Sequence, residues 1–370
     1  MHIEFVTDTY PPDVNGAAKT LSHLVRCLRA EGHKVTMMGP HADSELKMAS
    51  VRVPKYASVN LGLITQSRLR KYWQKSRPDV IYIAGEAFLG ASAVKAASQL
   101  EIPTIAGYHT NYDQYAANWK MKFLAARATR YMVNFHKRAT ATVVPSDSVA
   151  SDLQELGYND LHVLGRGVDA ELFHPSKRSL DRRSEWGVKN DTPVALFASR
   201  ISPEKNLTLL SQAFRKMQEI NPDTRCVIVG DGPSYDRFKR ENPNVICYRF
   251  KHGEELAEIY ASADIMVFPS VTETFGNTVT EALASGLVVV AYDYAAAQMH
   301  IEHKVNGLLA DYGNEQQFLQ RCDQAMRLIS DNSLRSAAHR SASKLTWHTV
   351  AQRLIDISEK LIKDQEESSQ

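Results

Sequence analysis

Ten short apolar runs, arranged in two successive series, constrain this chain more than any other feature. The first series is "HIEFVTD", "KVTMMGP", "DVIYIAG" (79–85), "PTIAGYH" (103–109) and "ATATVVPS" (139–146). The second is "PVALFAS" (193–199), "RCVIVGDG" (225–232), "VICYRF" (245–250), "DIMVFPS" (264–270) and "LVVVAYD" (287–293). Each ends where the chain turns polar or meets a small residue. Such runs read as strands buried on both faces, the condition of a parallel sheet. Helically spaced stretches separate them. In "AAKTLSHLVRCLRAEG" the residues Leu21, Leu24, Val25 and Leu28 share one face, and Gly32 ends the helix. Two βα series of similar size predict an α/β protein with two doubly wound, Rossmann-like domains. The predicted division is 1–168 and 169–349, with "GRGVDAELFHPSKRS" (165–179) as the linker. The last segment, "WHTVAQRLIDISEKLIKD" (347–364), reads as one amphipathic helix, and 350–370 is assigned to the first domain.

Composition narrows the class. With 44% hydrophobic and 23% charged residues, the chain fits a soluble globular protein, not a disordered or fibrous one. No apolar run approaches the roughly 18 residues that span a bilayer. The start, "MHIEFVTDTYPP", lacks the basic and apolar regions of a signal peptide. Cys27, Cys226, Cys247 and Cys322 have no metal-like spacing and read as free thiols in a reducing cytoplasm. The net charge of +2 hides an asymmetry: residues 1–168 carry 20 Lys+Arg against 14 Asp+Glu, and the remainder is net acidic. "SRLRKYWQKSR" (67–77) has five basic residues and no acid, and "KMKFLAARATRYMVNFHKR" (120–138) has six and none. Two readings stand: solvated helix faces, or contact with an anionic membrane surface, where each basic residue contributes about 1 kcal/mol. Nucleic acid is disfavoured, since neither run belongs to a recognisable binding module.

In open parallel sheets, ligands bind beyond the carboxyl ends of the strands, so the strand-to-helix loops are the candidate site. Gly16, in "DTYPPDVNGAAKT", opens the first helix. It either lets backbone N–H groups approach a phosphate or packs the helix on its strand. It is not part of a GxGxxG fingerprint, which disfavours an NAD-dependent oxidoreductase. In "SRISPEKNL" (199–207), Arg200 and Lys205 suit a diphosphate, and two cations in one loop repel one another unless an anion joins them. Gly230, Asp231 and Gly232 in "VGDGPSYDR" make a tight turn. In "ETFGNTVTEALASG", Gly276 lets the chain pass close to a ligand at a helix N-terminus. Glu273 precedes that end and Glu281 lies about one turn inside. Acids beside an anion site are unfavourable unless they bind something else, and carboxylates accept hydrogen bonds from hydroxyls. The pattern suits a sugar nucleotide: phosphates in the middle, a hexose at one end and a ribose at the other.

These residues carry a resemblance. "E-TFGNTVT-E" is similar to the E-x7-E motif of retaining family-4 glycosyltransferases with the GT-B fold. "SRISPEKN", "VGDGP", "YASADIMVFPS" and "ALASG" also resemble that family, as do the acceptor-domain loops "VNGAAKT" and "GYHTNY". "GRGVDAELFHP" is similar to the family's interdomain segment, often NGVDxxxF. The motifs run in family order from the first strand to the last helix. Members of similar character are bacterial mannosyl- and glucosyltransferases acting on lipid-linked acceptors, and sulfoquinovosyltransferases. The resemblance implies two Rossmann-like domains with the cleft between them and a C-terminal helix crossing back to the N-terminal domain. It also implies that the first domain binds the acceptor and the second the nucleotide sugar.

The implied roles follow residue by residue. Arg200 and Lys205 bind the donor diphosphate and stabilise the leaving group. Glu273 contacts donor-sugar hydroxyls beside the backbone of Phe275, Gly276 and Asn277, and Glu281 holds the ribose. Gly16 and Gly230 belong to the donor-binding set, and His109 reaches the sugar near the reacting carbon. Asp13 orients the acceptor and Arg166 adds a charge on the acceptor side. One departure stands out: after "VVVAYD" the family often has Gly-Gly before a Pro-Glu pair, whereas this chain has "YAAAQMHI".

The implied reaction moves a hexose from GDP-mannose or a UDP-hexose to a hydroxyl, with retention, on a lipid or membrane-associated glycan. The acceptor attacks from the face the diphosphate leaves, a donor phosphate oxygen takes its proton, and domain closure excludes water. Two cations and a helix end supply the positive charge, and the DxD motif is missing, so no metal and no cofactor are expected. The alternatives are a GT-B sugar-nucleotide epimerase, a phosphorylase, for which no pyridoxal-phosphate lysine stands out, and a non-catalytic sugar-nucleotide-binding subunit. The expected location is the cytoplasm, peripherally on the inner face of the membrane if the basic runs dock there. "YRFKHGEEL" (248–256) is expected to flank the base without revealing guanine from uracil.

Overall fold

The computed structural model describes residues 1–13, 15–41, 43–52, 60–109 and 122–368. The chain forms two compact units, Met1–Arg166 with Trp347–Gln370, and Gly167–Thr346. The first unit contains strands β1 (His2–Thr7), β2 (Lys34–Met38), β3 (Ala49–Arg52), β4 (Asn60–Leu63), β5 (Val80–Ala84), β6 (Thr104–Gly107), β7 (Ala141–Val144) and β8 (Leu161–Val163). Its helices are α1 (Gly16–Ala30), α2 (Gln66–Lys75), α3 (Phe88–Gln99), α4 (Lys122–His136) and α5 (Asp147–Glu155). Six of the strands form one parallel sheet in the order β2-β1-β5-β6-β7-β8. β1 and β5 are buried almost throughout, as their unbroken apolar runs demand. The order reverses between β1 and β5, which makes that crevice the unit's topological switch point.

The second unit alternates helices and strands from α6 (Leu180–Glu185). They are β9 (Val194–Ala198), α7 (Leu207–Ile220), β10 (Arg225–Val229), α8 (Tyr235–Glu241), β11 (Ile246–Tyr248), α9 (Gly253–Ser262) and β12 (Ile265–Phe268). Then come α10 (Asn277–Ala284), β13 (Val288–Tyr292), α11 (Ala295–His300), β14 (Leu308–Ala310), α12 (Glu315–Leu328) and α13 (Asn332–Ala342). The sheet is parallel, in the order β11-β10-β9-β12-β13-β14. This is the doubly wound nucleotide-binding order, and its switch point falls between β9 and β12. The amino end of β12 is tied down by Asp264, whose carboxylate accepts from Arg178 at 3.0 Å, Arg183 at 3.2 Å and the Val194 N–H at 2.9 Å.

The last helix, α14 (Trp347–Ser368), belongs to the first unit, where Leu354, Ile355 and Leu361 share a core with Leu21, Leu24 and Leu28 of α1. Trp347 stacks on His23 with centroids 4.6 Å apart. The predicted α/β class with two Rossmann-like sheets and a returning last helix is borne out. Each sheet has a sixth strand that the apolar runs do not announce. β8 and β14 have three residues each. The largely exposed β3–β4 hairpin is likewise unsignalled, because little of it is buried.

Candidate active site

The second unit's candidate residues gather at the carboxyl ends of β9 and β12, on its switch point. The loop after β9 carries Arg200 and Lys205, and the loop after β12 carries Glu273. Lys205 is buried and donates its Nζ hydrogen to Glu273 Oε1 across 68 residues of sequence. Arg200 Nη2 donates to Glu204 Oε1, which also accepts from the Ser202 hydroxyl at 2.6 Å. Burial alone would raise the Glu204 carboxyl. The Ser202 hydroxyl, a backbone N–H and the Arg200 guanidinium together hold it below the usual range. Each cation therefore has its own carboxylate, so the loop tolerates two positive charges without a bound anion. Glu204 was not among the expected site residues, although it stands between the two cations in "SRISPEKN".

Gly230 has a steric duty. It holds φ 149, and a Cβ there would collide with the Ser199 carbonyl oxygen. Gly232, at φ 155, stands against Ile201 in the same way. These close approaches let the loops after β9 and β10 zip together through Ser199 N–H to Val229 O at 3.0 Å and Ile201 N–H to Asp231 O at 2.9 Å. Gly230 thus fixes the backbone that carries Arg200. Asp231 is gripped by Arg249 Nη1, 2.7 Å from each carboxylate oxygen, which holds its carboxyl below the usual range. That pair joins the turn to the "YRFKHGEEL" loop.

Gly276 caps α10 with a left-handed φ of 96, so the helix starts immediately after a sharp reversal. Phe275 is buried, and Asn277 Oδ1 is buried with no hydrogen-bond partner among the described residues. Glu281, about one turn further on, is buried, and its Oε2 accepts from the Tyr260 hydroxyl at 3.2 Å. The alanine departure lies directly behind this loop: Ala296 N–H donates to Phe275 O at 2.8 Å. Ala295 adopts φ 51, a backbone that glycine takes without strain and that costs alanine about 1 kcal/mol.

The first unit brings together Gly16, His109 and Arg166. Asn15 caps α1 by accepting from Ala18 N–H at 2.9 Å. A Cβ on Gly16 would lie 3.7 Å from Arg166 Nη1. His109 Nε2 is 3.0 Å from the hydroxyl of Tyr82, in the middle of β5. Burial first, then the positive Arg166, push the His109 imidazole down to about 3, so it is neutral. Gly107 makes room for the pair, since a Cβ there would sit 2.5 Å from the Tyr82 oxygen and 2.6 Å from His109 Nε2. Thr20, Tyr82, His109 and Arg166 help line a cavity of about 10 Å³, space for roughly one water. Asp13 sits apart in the β1–α1 loop, where its Oδ2 accepts from Thr9 Oγ1 at 2.9 Å. Thr110, Asn111 and Tyr112 of "GYHTNY" and Val14 of "VNGAAKT" lie outside the described residues.

Sequence reasoning did not assign Tyr82, Tyr260 or the acids of the first unit's switch point. Asp8, at the end of β1, accepts from Gly62 N–H at 2.7 Å. Burial drives its carboxyl up to about 6, against the pull of that N–H. Its position after a buried strand was the available signal.

Parallel doubly wound sheets with charged groups at their switch points are the arrangement of α/β proteins that bind ligands beyond the strand ends. The comparisons with known proteins agree. The family model "Glycosyltransferase Family 4" matches residues 14–172, and "Glycosyl transferases group 1" matches 180–344. A GDP-mannose-dependent alpha-mannosyltransferase of Corynebacterium glutamicum is 31% identical, covering 96% of this chain and 88% of the relative. The alpha-monoglucosyldiacylglycerol synthase of Acholeplasma laidlawii is 26% identical, covering 85% and 86%. Among solved structures, the Anabaena protein HepE in complex with UDP-glucose superposes with a TM-score of 0.74 at 19% identity, covering 97% of this chain and 100% of that one. The chain belongs to the family-4 glycosyltransferases.

Proposed function

We propose that this glycosyltransferase moves a hexose from a nucleoside diphosphate sugar to a hydroxyl of a lipid or membrane-associated glycan, with retention and without a divalent metal. GDP-mannose is the first donor to test, as the 31%-identical relative is GDP-mannose-dependent, with UDP-hexoses next. One observation carries the reading: Lys205 and Glu273 are in direct contact at the β9/β12 switch point. A phosphate-binding cation and a hydroxyl-binding carboxylate side by side match a donor whose sugar and phosphate share one bond. Arg200 supplies the second cation for the diphosphate, and Gly230 fixes the loop that carries it. The backbone of Phe275, Gly276 and Asn277 lines the sugar, and Glu281 holds the ribose. Charge on the departing diphosphate is stabilised electrostatically by Arg200, Lys205 and the α10 N-terminus.

In the first unit, Gly16 is assigned to the diphosphate, neutral His109 to the sugar near the reacting carbon, and Asp13 and Arg166 to the acceptor. No residue is assigned as a covalent nucleophile, so the acceptor attacks on the face the diphosphate leaves and a donor phosphate oxygen takes its proton. The basic residues of α2 support peripheral docking on an anionic membrane from the cytoplasmic side. Among the described residues no helix is long and apolar enough to cross a membrane. Vesicle binding that weakens with salt and in an Arg68→Ser, Arg70→Ser, Lys71→Ser variant is expected; unchanged binding overturns the docking.

The main test is isothermal titration with GDP-mannose, UDP-glucose and UDP-GlcNAc, without added metal, on wild type and Glu281→Ala. Selective binding of one donor, lost in the variant, supports the site. Equal binding by both proteins overturns it. The anomeric configuration of the product, read by NMR, tests retention.

A further inference from the structure

The geometry points to Tyr260 as the residue that positions Glu281 for the donor's ribose, with Phe173 behind it as a support. This inference rests on the proposed role of Glu281. Tyr260 lies on α9 and is 1% exposed. Its hydroxyl donates to Glu281 Oε2 at 3.2 Å. Its ring meets that of Phe173 edge to face, with centroids 5.4 Å apart at 85°. Phe173 is itself buried and is set by Asp169: Asp169 Oδ1 accepts from Leu172 N–H at 3.0 Å, and its carbonyl accepts from Phe173 N–H at 2.8 Å. Three separate segments, "GVDAELF", "YASADI" and "ETFGNTVTE", therefore end in one contact line: ring on ring, then hydroxyl on carboxylate.

The physical case rests on what a phenylalanine at 260 would lack. Its ring would pack against Phe173 equally well, and burying a hydroxyl beside a buried carboxylate is costly unless the two are bonded. The bond removes rotamer freedom from Glu281 before a ligand arrives. Ordering a rotamer-rich side chain on binding costs enough to weaken affinity several-fold, so a pre-set carboxylate accepts the ribose hydroxyls more tightly. Tyr260 touches no donor atom in this scheme. It acts through Glu281, so its effect must vanish when either the ribose hydroxyls or the carboxylate are removed.

The experiment uses the full chain as wild type, Tyr260→Phe, Glu281→Gln and the double variant, with GDP, UDP and their 2′,3′-dideoxy analogues as titrants. Tyr260→Phe is expected to weaken ribonucleotide binding by about 3- to 10-fold. Dideoxy binding stays unchanged, and Tyr260→Phe adds no loss on the Glu281→Gln background. If Tyr260→Phe binds like wild type while Glu281→Gln binds ribonucleotides more weakly, the positioning role is overturned and the ribose site stands. If Tyr260→Phe weakens both nucleotide types equally, the residue is structural and the inference is overturned. If Glu281→Gln leaves the ribo-to-dideoxy ratio at the wild-type value, the ribose reading of Glu281 falls and takes the inference with it. Thermal midpoints check folding. The ribo-to-dideoxy ratio still reads the effect in a destabilised variant, because both ligands meet the same folded fraction.

Discussion

Replacing Glu4 by glutamine is expected to stabilise the first unit at alkaline pH, by removing a charge that folding strands in the core. Glu4 lies on β1 with no exposed surface. Its Oε2 accepts from the Trp73 indole N–H at 3.0 Å, and its Oε1 is buried with no hydrogen-bond partner among the described residues. Burial drives the carboxyl up from 4.5 to about 7, the Trp73 bond pulls it partly back, and Glu45 and Lys34 act in opposite senses. Between those two values the folded protein keeps a proton that the unfolded chain has released. Stability therefore falls as pH rises from 4.5 towards 7, and the loss is complete above that. At 1.36 kcal/mol per pH unit, the full shift corresponds to roughly 3 kcal/mol.

Glutamine keeps an acceptor for Trp73 and cannot ionise. Its amide N–H₂ inherits the unsatisfied place of the protonated acid, so near pH 4.5 the two proteins should be similar in stability. At pH 8 the variant should lead by about 1–3 kcal/mol, the lower figure allowing for relaxation around the charge. Urea titrations from pH 4.5 to 8.5, followed by tryptophan fluorescence with buried Trp73 reporting the first unit, measure the difference. Asp8, raised to about 6 by burial, adds slope in the same direction, but equally in both proteins. Parallel curves for wild type and variant across the whole range would refute the reasoning.

Asp264→Asn should destabilise the second unit by about 3–5 kcal/mol in urea titrations, since Arg183, 1% exposed, loses its carboxylate. Nucleotide affinity should survive, because Asp264 sits at the amino end of β12 and the loops proposed to bind the donor lie at the carboxyl ends; a loss of stability below 1 kcal/mol would sink the argument. Gly230→Ala should cost the second unit roughly 2 kcal/mol or more and weaken donor binding at least about tenfold, because its Cβ collides with backbone. Gly276→Ala, where the nearest atom is 3.6 Å from the added carbon, should cost only about 1 kcal/mol of backbone strain. Equal thermal shifts for the two alanines would contradict this contrast. His109 is held neutral, so kcat/KM between pH 5 and 9 should show no inflection belonging to it; an inflection near 6.5 that disappears in His109→Gln would be fatal to that account.

Local pattern was enough for much of this molecule. Long apolar runs such as "DVIYIAG" and "LVVVAYD" are buried wherever they pair, so β5 and β13 were legible as strands without knowledge of their neighbours. The same holds for α1, whose apolar stripe at Leu21, Leu24, Val25 and Leu28 ends at Gly32. Glycine and charge at strand ends marked the loops that meet at the β9/β12 switch point, those of Arg200, Lys205 and Glu273. The strands β8 and β14 were not legible in the same way.

The sequence by itself determined the class of the longer elements and the residue types at the loops, since these follow from burial and backbone preference along a short stretch of chain. Tertiary structure alone decided which strands are neighbours, and therefore which loops meet. Sheet order brings Lys205 to Glu273 across 68 residues, Tyr82 to His109 across 27 and Tyr260 to Glu281 across 21. The charge state of a group such as His109 or Glu4 is likewise a tertiary property. It depends on how much water the fold removes and on which charges it leaves close by, and neither quantity is carried by the residue or its immediate neighbours in the chain.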